Sequence, residues 1–396
     1  MHIALFIHAL TVGGAQNRTL AIANGLAERG HRVDLIVAAQ GAPNESKLSA
    51  KIRFTPLSSR ASASVGTGLR RVTDLMSSLP ALVRYLNSET PDVLIGMANH
   101  VAPVAVLAHF LMSKPGSTAL VLRASNHITH SAQAKGSYLR RLHLLPIWRR
   151  ADHIIAVSRS VAHSLTSGLN IAQERITVLP SPILPDDLTG RTSADPGHPW
   201  LSQADSGPPV IVGIGRFVHQ KGFDLLIEAF SRVSRQQPCR LLLFGDGPQR
   251  EALENRIRQL DLNDLVSMPG VTSQPYAVLS RADLFVLPSR WEGMPAVLIE
   301  ALATGCPVVA ADCPGGVAEV IEDGGLGGLV PVDDVAALAD AMLQGLSREP
   351  DREALRRAAR PYQTGPAITA FEDWLHAYLH RRQAPAMTLE AGGLDG

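Results

Sequence analysis

Two glutamates, Glu292 and Glu300, stand in the stretch RWEGMPAVLIEALATG with seven residues between them. Pro295 suits the first position of a helix, so Glu292 falls in the preceding loop and Glu300 inside the helix. In an unbroken helix a spacing of eight separates two side chains by about 12 Å and turns them by about 80°. That is too far for a carboxylate dyad sharing one proton or one water. It suits two hydroxyl-rich groups at the ends of one extended ligand, because a carboxylate accepts hydrogen bonds from vicinal hydroxyls. A nucleotide sugar has that form: hexose at one end, ribose at the other, diphosphate between. The plainer reading of Glu300 is a helix acid paired with a base, which the apolar setting VLIEALA weakens. Gly293, Met294, Ala296 and Val297 offer backbone N–H groups at the helix start; Pro295 offers none.

A second charged constellation lies upstream, in GIGRFVHQKGFDLL. An apolar strand ends at Gly215, Arg216 follows, and Lys221 and Gly222 precede a helix. A strand end, two cations and a helix N-terminus together make an anion site. Arg216 suits a bidentate contact and Lys221 a point-charge contact to a diphosphate. TVGGAQ near the start places Gly13 and Gly14 where backbone amides can approach a ligand; a ligand-free tight turn reads nearly as well. In LFGDGPQREAL, Gly245 can line a nucleotide pocket, or Asp246 can simply cap a helix. RASNHITH follows another strand, so Arg123, Asn126 and His127 are candidates for the reacting end of a substrate, His130 less so.

Alternating short strands and helices must position these residues. HIALFIHAL, HRVDLIVAA, DVLIGMA, ALVLRAS, HIIAVS and ITVLPSP are apolar on both faces, as strands of a covered parallel sheet are. A proline-rich stretch follows, and the pattern restarts at PVIVGIGR. The chain therefore divides into a first domain at residues 1–187, a linker at 188–209 and a second α/β domain at 210–360. Residues 361–382 form an amphipathic helix whose apolar face needs a cover, which the first domain can supply. Residues 383–396 read as a disordered tail.

Bulk properties narrow the classes. The 396 residues carry 37 basic and 36 acidic side chains, so no global field favours nucleic acid. Three cysteines without a CxxC pair give no metal framework and suit a reducing compartment. MHIALFIHAL lacks a basic n-region and cleavage site, and no other apolar run is long enough to span a bilayer, so the expectation is a cytoplasmic protein. In YLRRLHLLPIWRR, Arg140, Arg141, Arg149 and Arg150 beside Trp148 could rest on an anionic membrane face, or form a solvated helix face.

GGAQ, GRFVHQKG, FGDGP, SRWEGMPAVLIEALATGCPVVAADCPGG and GGLVPVDD occur in that order and together resemble the retaining glycosyltransferases of family 4. The resemblance is dense from about residue 210 to 345 and thinner before. It implies an α/β protein of the GT-B fold, two doubly wound Rossmann-like domains facing across a cleft. It further implies that Glu292 contacts donor-sugar hydroxyls, that Glu300 holds the ribose, and that Arg216 and Lys221 neutralise the donor diphosphate. Gly14 would approach the phosphates, the segment Met268 to Val271 with Gly270 would flank the nucleobase, and His127 would stand near the reacting sugar.

The implied activity is transfer, with retention, of a hexose from a nucleotide diphosphate sugar to a glycan or lipid-linked acceptor. Uridine diphosphate is the family's commonest carrier; guanosine and adenosine donors stay open. No DxD triplet occurs, in keeping with a metal-free reaction and no cofactor. The expected setting is cell-surface polysaccharide or lipopolysaccharide synthesis, with peripheral contact at the inner membrane. Alternatives are an epimerase of the same fold and a non-catalytic nucleotide-sugar-binding protein. A dinucleotide-dependent dehydrogenase would need GxGxxG and an acid about 20 residues on, which neither half supplies.

Overall fold

A computed structural model describes residues 1–11, 13–40, 43–58, 69–126, 146–202 and 207–383. The doubly apolar runs form two parallel sheets. The first contains β1 (His2–Ile7), β2 (Arg32–Val37), β3 (Arg53–Pro56), β4 (Val93–Gly96), β5 (Ala119–Ala124), β6 (His153–Ala156) and β7 (Ile176–Val178), in the order β3-β2-β1-β4-β5-β6-β7. The second contains β8 (Val210–Ile214), β9 (Arg240–Phe244), β10 (Val266–Gly270), β11 (Leu284–Leu287), β12 (Val308–Ala311) and β13 (Gly328–Val330), in the order β10-β9-β8-β11-β12-β13. Leu5 of β1 pairs in register with Leu35 on one side and Ile95 on the other, and all three are fully buried. Continuous burial explains why these strands show no polar alternation.

Each sheet reverses its strand order once, between β1 and β4 in the first and between β8 and β11 in the second. Ligands of doubly wound sheets bind beyond the carboxyl ends of the strands at such reversals. The loops that follow β1, β8 and β11 carry Gly13, Gly215 and Ser289. The segments singled out in the sequence thus leave their sheets at the reversals.

The linker is not structureless. It holds a short helix at Thr189–Thr192 and a 3₁₀ turn at Pro199–Leu201. Both lean on the second lobe: Ser280 Oγ donates to the Thr192 carbonyl at 3.2 Å, and Arg281 donates to the Ala194 carbonyl at 2.9 Å. The Arg240 guanidinium lies 5.1 Å from the centre of the Trp200 ring. Proline density in this stretch reflects turns fastened to a neighbour.

The last helix, Thr364–Gln383, returns to the first lobe. Ile368, Phe371, Trp374, Leu375 and Leu379 join the core formed by β1, β2 and the helix Gly14–Glu28. Trp374 Nε1 donates to Thr177 Oγ1 at 3.1 Å. Glu372 accepts from Arg29 at 2.6 Å and lies 2.6 Å from His31 Nε2. Each large apolar side chain buried this way contributes about 1.5–3 kcal/mol. This helix therefore helps hold the first lobe together.

Candidate functional site

Between the lobes lies a cleft of about 670 Å³. Its second-lobe wall carries Arg216, Lys221, Gly245, Glu292, Gly293, Met294, Ala296, Val297 and Glu300. Its first-lobe wall carries Gly14, Arg18, Arg123, Ser125 and Asn126. The four charged residues that the sequence pattern singles out, Arg216, Lys221, Glu292 and Glu300, thus share one cavity although they come from separate segments.

Local geometry brings them there. After Lys221 the chain turns at Gly222, whose φ is +65°. A Cβ at that position would sit 2.1 Å from the Pro288 carbonyl oxygen, so only glycine fits and the helix Phe223–Val233 can start at once. Lys221 Nζ then donates to Glu292 Oε1 at 2.6 Å, and Ser289 Oγ donates to the same oxygen at 2.7 Å. The Glu292 side chain is 8% exposed and that of Lys221 16%. This charge-assisted bond holds both groups at the cleft before any ligand arrives.

Arg290 braces the two loops. Its guanidinium donates to Asp224 at 3.0 and 2.7 Å, to Asp333 at 2.7 Å and to the His219 carbonyl at 2.8 Å. Its backbone N–H donates to the Gln220 carbonyl at 2.8 Å. Gln220 Nε2 donates in turn to the Trp291 carbonyl at 2.8 Å. Lys221 and Glu292 are therefore flanked on both sides by fixed backbone. In the sequence Arg290 is marked only by its place two residues before Glu292.

Glu300 projects from the helix Ala296–Thr304 into the cleft. Burial pushes its carboxyl up to about 7, and the charge of Arg18 works against that rise. Pro295 occupies the position before the helix, and no side chain caps the helix start. Ala296 and Val297, in the first turn, line the cleft. A helix start with an unused positive end beside Arg216 and Lys221 is suited to an anion.

The lobes touch around this site. A Cβ on Gly293 would lie 2.4 Å from the Ser125 carbonyl oxygen and 2.6 Å from Asn126 Oδ1, so the glycine permits the first lobe's approach. The Gly315 N–H donates to Ser160 Oγ at 3.1 Å, and the Arg159 N–H donates to Glu319 at 2.7 Å.

Not every expected residue lines the cavity. Met268 packs against the second lobe's core, and neither Met268 nor Gly270 reaches the cleft wall. Gly270, at φ +97°, turns the chain, and Val271 of the expected segment lines the wall, with Thr272 and Pro275 beyond it. His127 and His130 lie outside the described residues, as do Arg140 and Arg141. Trp148 is buried at 1% exposure and packs in the core, while Arg149 and Arg150 are exposed. Among the described residues no helix is long and apolar enough to cross a membrane. Arg18 was missed in the sequence; it lies one helical turn beyond Gly14, on the face that the Gly-Gly turn presents to the cleft.

Comparison with known proteins agrees with this architecture. The family model described as group 1 glycosyl transferases matches residues 198–362, and the glycosyltransferase family 4 model matches residues 12–187. An exopolysaccharide phosphotransferase of Streptomyces coelicolor is 34% identical over 242 residues, covering 60% of this chain and 24% of that protein. A Campylobacter jejuni 4-alpha-N-acetylgalactosaminyltransferase, named for an N-acetylgalactosamine-N,N'-diacetylbacillosaminyl-diphospho-undecaprenol acceptor, is 26% identical over 279 residues, 70% of this chain and 71% of that one. The match thus spans about a quarter of one curated relative and most of the other. HepE of Anabaena, solved in complex with UDP, superposes with a TM-score of 0.75 at 18% identity, over 95% of this chain and 100% of that one. That last likeness is one of fold. The chain belongs to the GT-B glycosyltransferases of the family 4 type.

Proposed function

We propose that the cleft binds a nucleotide diphosphate sugar, with uridine as the carrier base, and transfers its hexose with retention to a glycan or lipid-linked acceptor. The convergence of Arg216, Lys221, Glu292 and Glu300 on one cavity carries this reading. Arg216, Lys221 and the amides of Ala296 and Val297 meet the diphosphate. Glu292 accepts from sugar hydroxyls and Glu300 from the ribose. The bond between the anomeric carbon and the diphosphate oxygen breaks, the acceptor hydroxyl attacks the anomeric carbon from the same face, and its proton passes to the departing diphosphate oxygen. Charge growing on the leaving diphosphate meets Lys221, already held by Glu292, and Arg216, so the reaction proceeds without a divalent ion. The lobes already meet at Gly293, and their closure over the substrate would exclude water from the reacting end.

The relatives support the substrate class. The C. jejuni relative is named for a diphospho-undecaprenol-linked acceptor, and HepE has been solved with UDP-glucose. Such acceptors support a reaction in surface polysaccharide or lipopolysaccharide synthesis, which we propose runs at the cytoplasmic face of the membrane. The test is a panel of nucleotide sugars incubated with purified protein and acceptor in excess EDTA, reading released nucleoside diphosphate and the anomeric configuration of the product. Acceptor-dependent release with retained configuration is expected. Epimerised nucleotide sugar without transfer, an inverted product, or activity only after a divalent cation is restored would each overturn part of the reading.

A further inference from the structure

Two guanidiniums stand on the first-lobe wall, and contacts to the nucleotide sugar as described above leave both without a task. Arg123, at the carboxyl end of β5, is 3% exposed. Its Nη2 donates to Ser181 Oγ at 2.7 Å, while its buried Nη1 has no hydrogen-bond partner. Arg18 has a buried Nε that is likewise unpartnered. Its Nη1 folds back to 2.7 Å from the point that a Cβ on Gly14 would occupy, at the start of its own helix. Both side chains line the cleft. Among the described residues neither is ion-paired with a carboxylate at salt-bridge distance.

Such an arrangement is costly in an empty cavity. Burial pulls Arg123 down to about 9, and the neighbouring charge of Arg18 adds to the effect. Burial lowers Arg18 too; Glu300 and, more weakly, Glu292 oppose it. A buried cation short of partners is stabilised by any anion that completes its hydrogen bonds. The planar fork of a guanidinium matches a carboxylate or a phosphate. Arg216 and Lys221 occupy the facing lobe, so the two basic pairs lie on opposite walls.

We propose that Arg18 and Arg123 form a second anion site, separate from the diphosphate site, which takes a carboxylate or phosphate group on the sugar or acceptor side of the reaction. The proposal deepens the sugar-transfer reading and rests on it for the ligand's carrier, either the acceptor or an acidic donor sugar.

The test uses the full chain saturated with UDP and titrated with inorganic phosphate by calorimetry. Saturable phosphate binding should persist with UDP bound. It should weaken at least about tenfold in Arg123→Gln and in Arg18→Gln, while UDP affinity changes less than about threefold. Arg123→Lys, which keeps the charge, should recover part of the loss. Circular dichroism and melting establish folding; if Arg123→Gln does not fold, Arg18→Gln carries the comparison. Absence of phosphate binding to the UDP-loaded protein, or equal binding in all variants, overturns the second site. Displacement of phosphate by UDP also overturns it and assigns the arginines to the diphosphate. A loss confined to UDP-glucuronate relative to UDP-glucose assigns the anion to the donor sugar; equal donor affinities assign it to the acceptor. If UDP fails to bind the wild type, the donor reading fails, and phosphate titration of the free protein still tests the arginine pair.

Discussion

The second lobe braces its side of the cleft with Arg290, whose guanidinium is shared among Asp224, Asp333 and the His219 carbonyl. The first lobe ends its side with Arg123, which has one hydrogen bond and one bare nitrogen. The same side chain thus serves two purposes. Full pairing makes Arg290 a strut that fixes Lys221 and Glu292 in advance, and partial pairing leaves Arg123 to be completed by something else. A wall fixed in advance suits the invariant part of a substrate, and a wall left incomplete suits the part that varies between related enzymes.

The lobes also differ in how they are held together, which gives the largest expected effect. The first lobe borrows Phe371 and Trp374 from the last helix to close its core. Phe371→Ala should cost about 3–5 kcal/mol of stability. Hydrogen exchange should rise in β1, β2 and the helix Gly14–Glu28 while β8 and β9 keep their protection. Uniform loosening of both lobes would remove the contrast.

Next in size, Lys221→Ala or Glu292→Ala should lower transfer by roughly 100- to 1000-fold with the fold retained, since each removes a fixed charge at the reacting end. Near-normal turnover in either variant would break the assignment of the braced wall. Arg290→Ala acts one step further out. It should lower kcat/KM by about tenfold to hundredfold through misplaced loops, with intact circular dichroism. Recovery in a variant that restores a cation, Arg290→Lys, should be small because the bidentate contact to Asp224 is lost.

The smallest effect concerns Glu300. Its carboxyl titrates at about 7 in the folded cleft against an ordinary 4.5, so the folded state binds the proton more tightly. The associated stability is fully present below about 4.5 and is lost as pH rises through 7. Glu300→Gln mimics the protonated form. Without ligand it should melt roughly 2–4 °C above the wild type at pH 8 and together with it at pH 4.5. Saturating UDP should reverse the order at pH 8, because ribose hydroxyls favour the ionised carboxylate.

The second lobe was also the more legible from sequence, for related reasons. Most of its strands are short apolar runs set off by glycine, proline or aspartate, and the helix Ala296–Thr304 follows from Pro295 and the apolar VLIEALA. Where burial and turn chemistry agree, sequence pattern and structure coincide. The elements that escaped are those where they do not. Strand β3, RFTP, lies at a sheet edge, partly exposed and ending in proline. Strand β13 is three residues long and starts with glycine. The helix Arg352–Ala359 is strongly charged and buries only Leu355 and Ala359. Arg18 sits on a helix amid polar neighbours and reads like a solvated cation; only the fold of β1 into the cleft turns it inward. Met268 illustrates the opposite case: within the motif segment Met268 to Val271, the turn at Gly270 brings Val271 to the wall and leaves Met268 against the core.

The central claim is that Arg216 and Lys221 of the second lobe grip a diphosphate without a metal. Calorimetric titration with UDP in excess EDTA tests it most directly. The account predicts one-to-one binding that weakens about tenfold to hundredfold in Arg216→Ala, as loss of a charged hydrogen-bonding group should. Binding that requires an added divalent cation, or an Arg216→Ala affinity equal to that of the wild type, would contradict it.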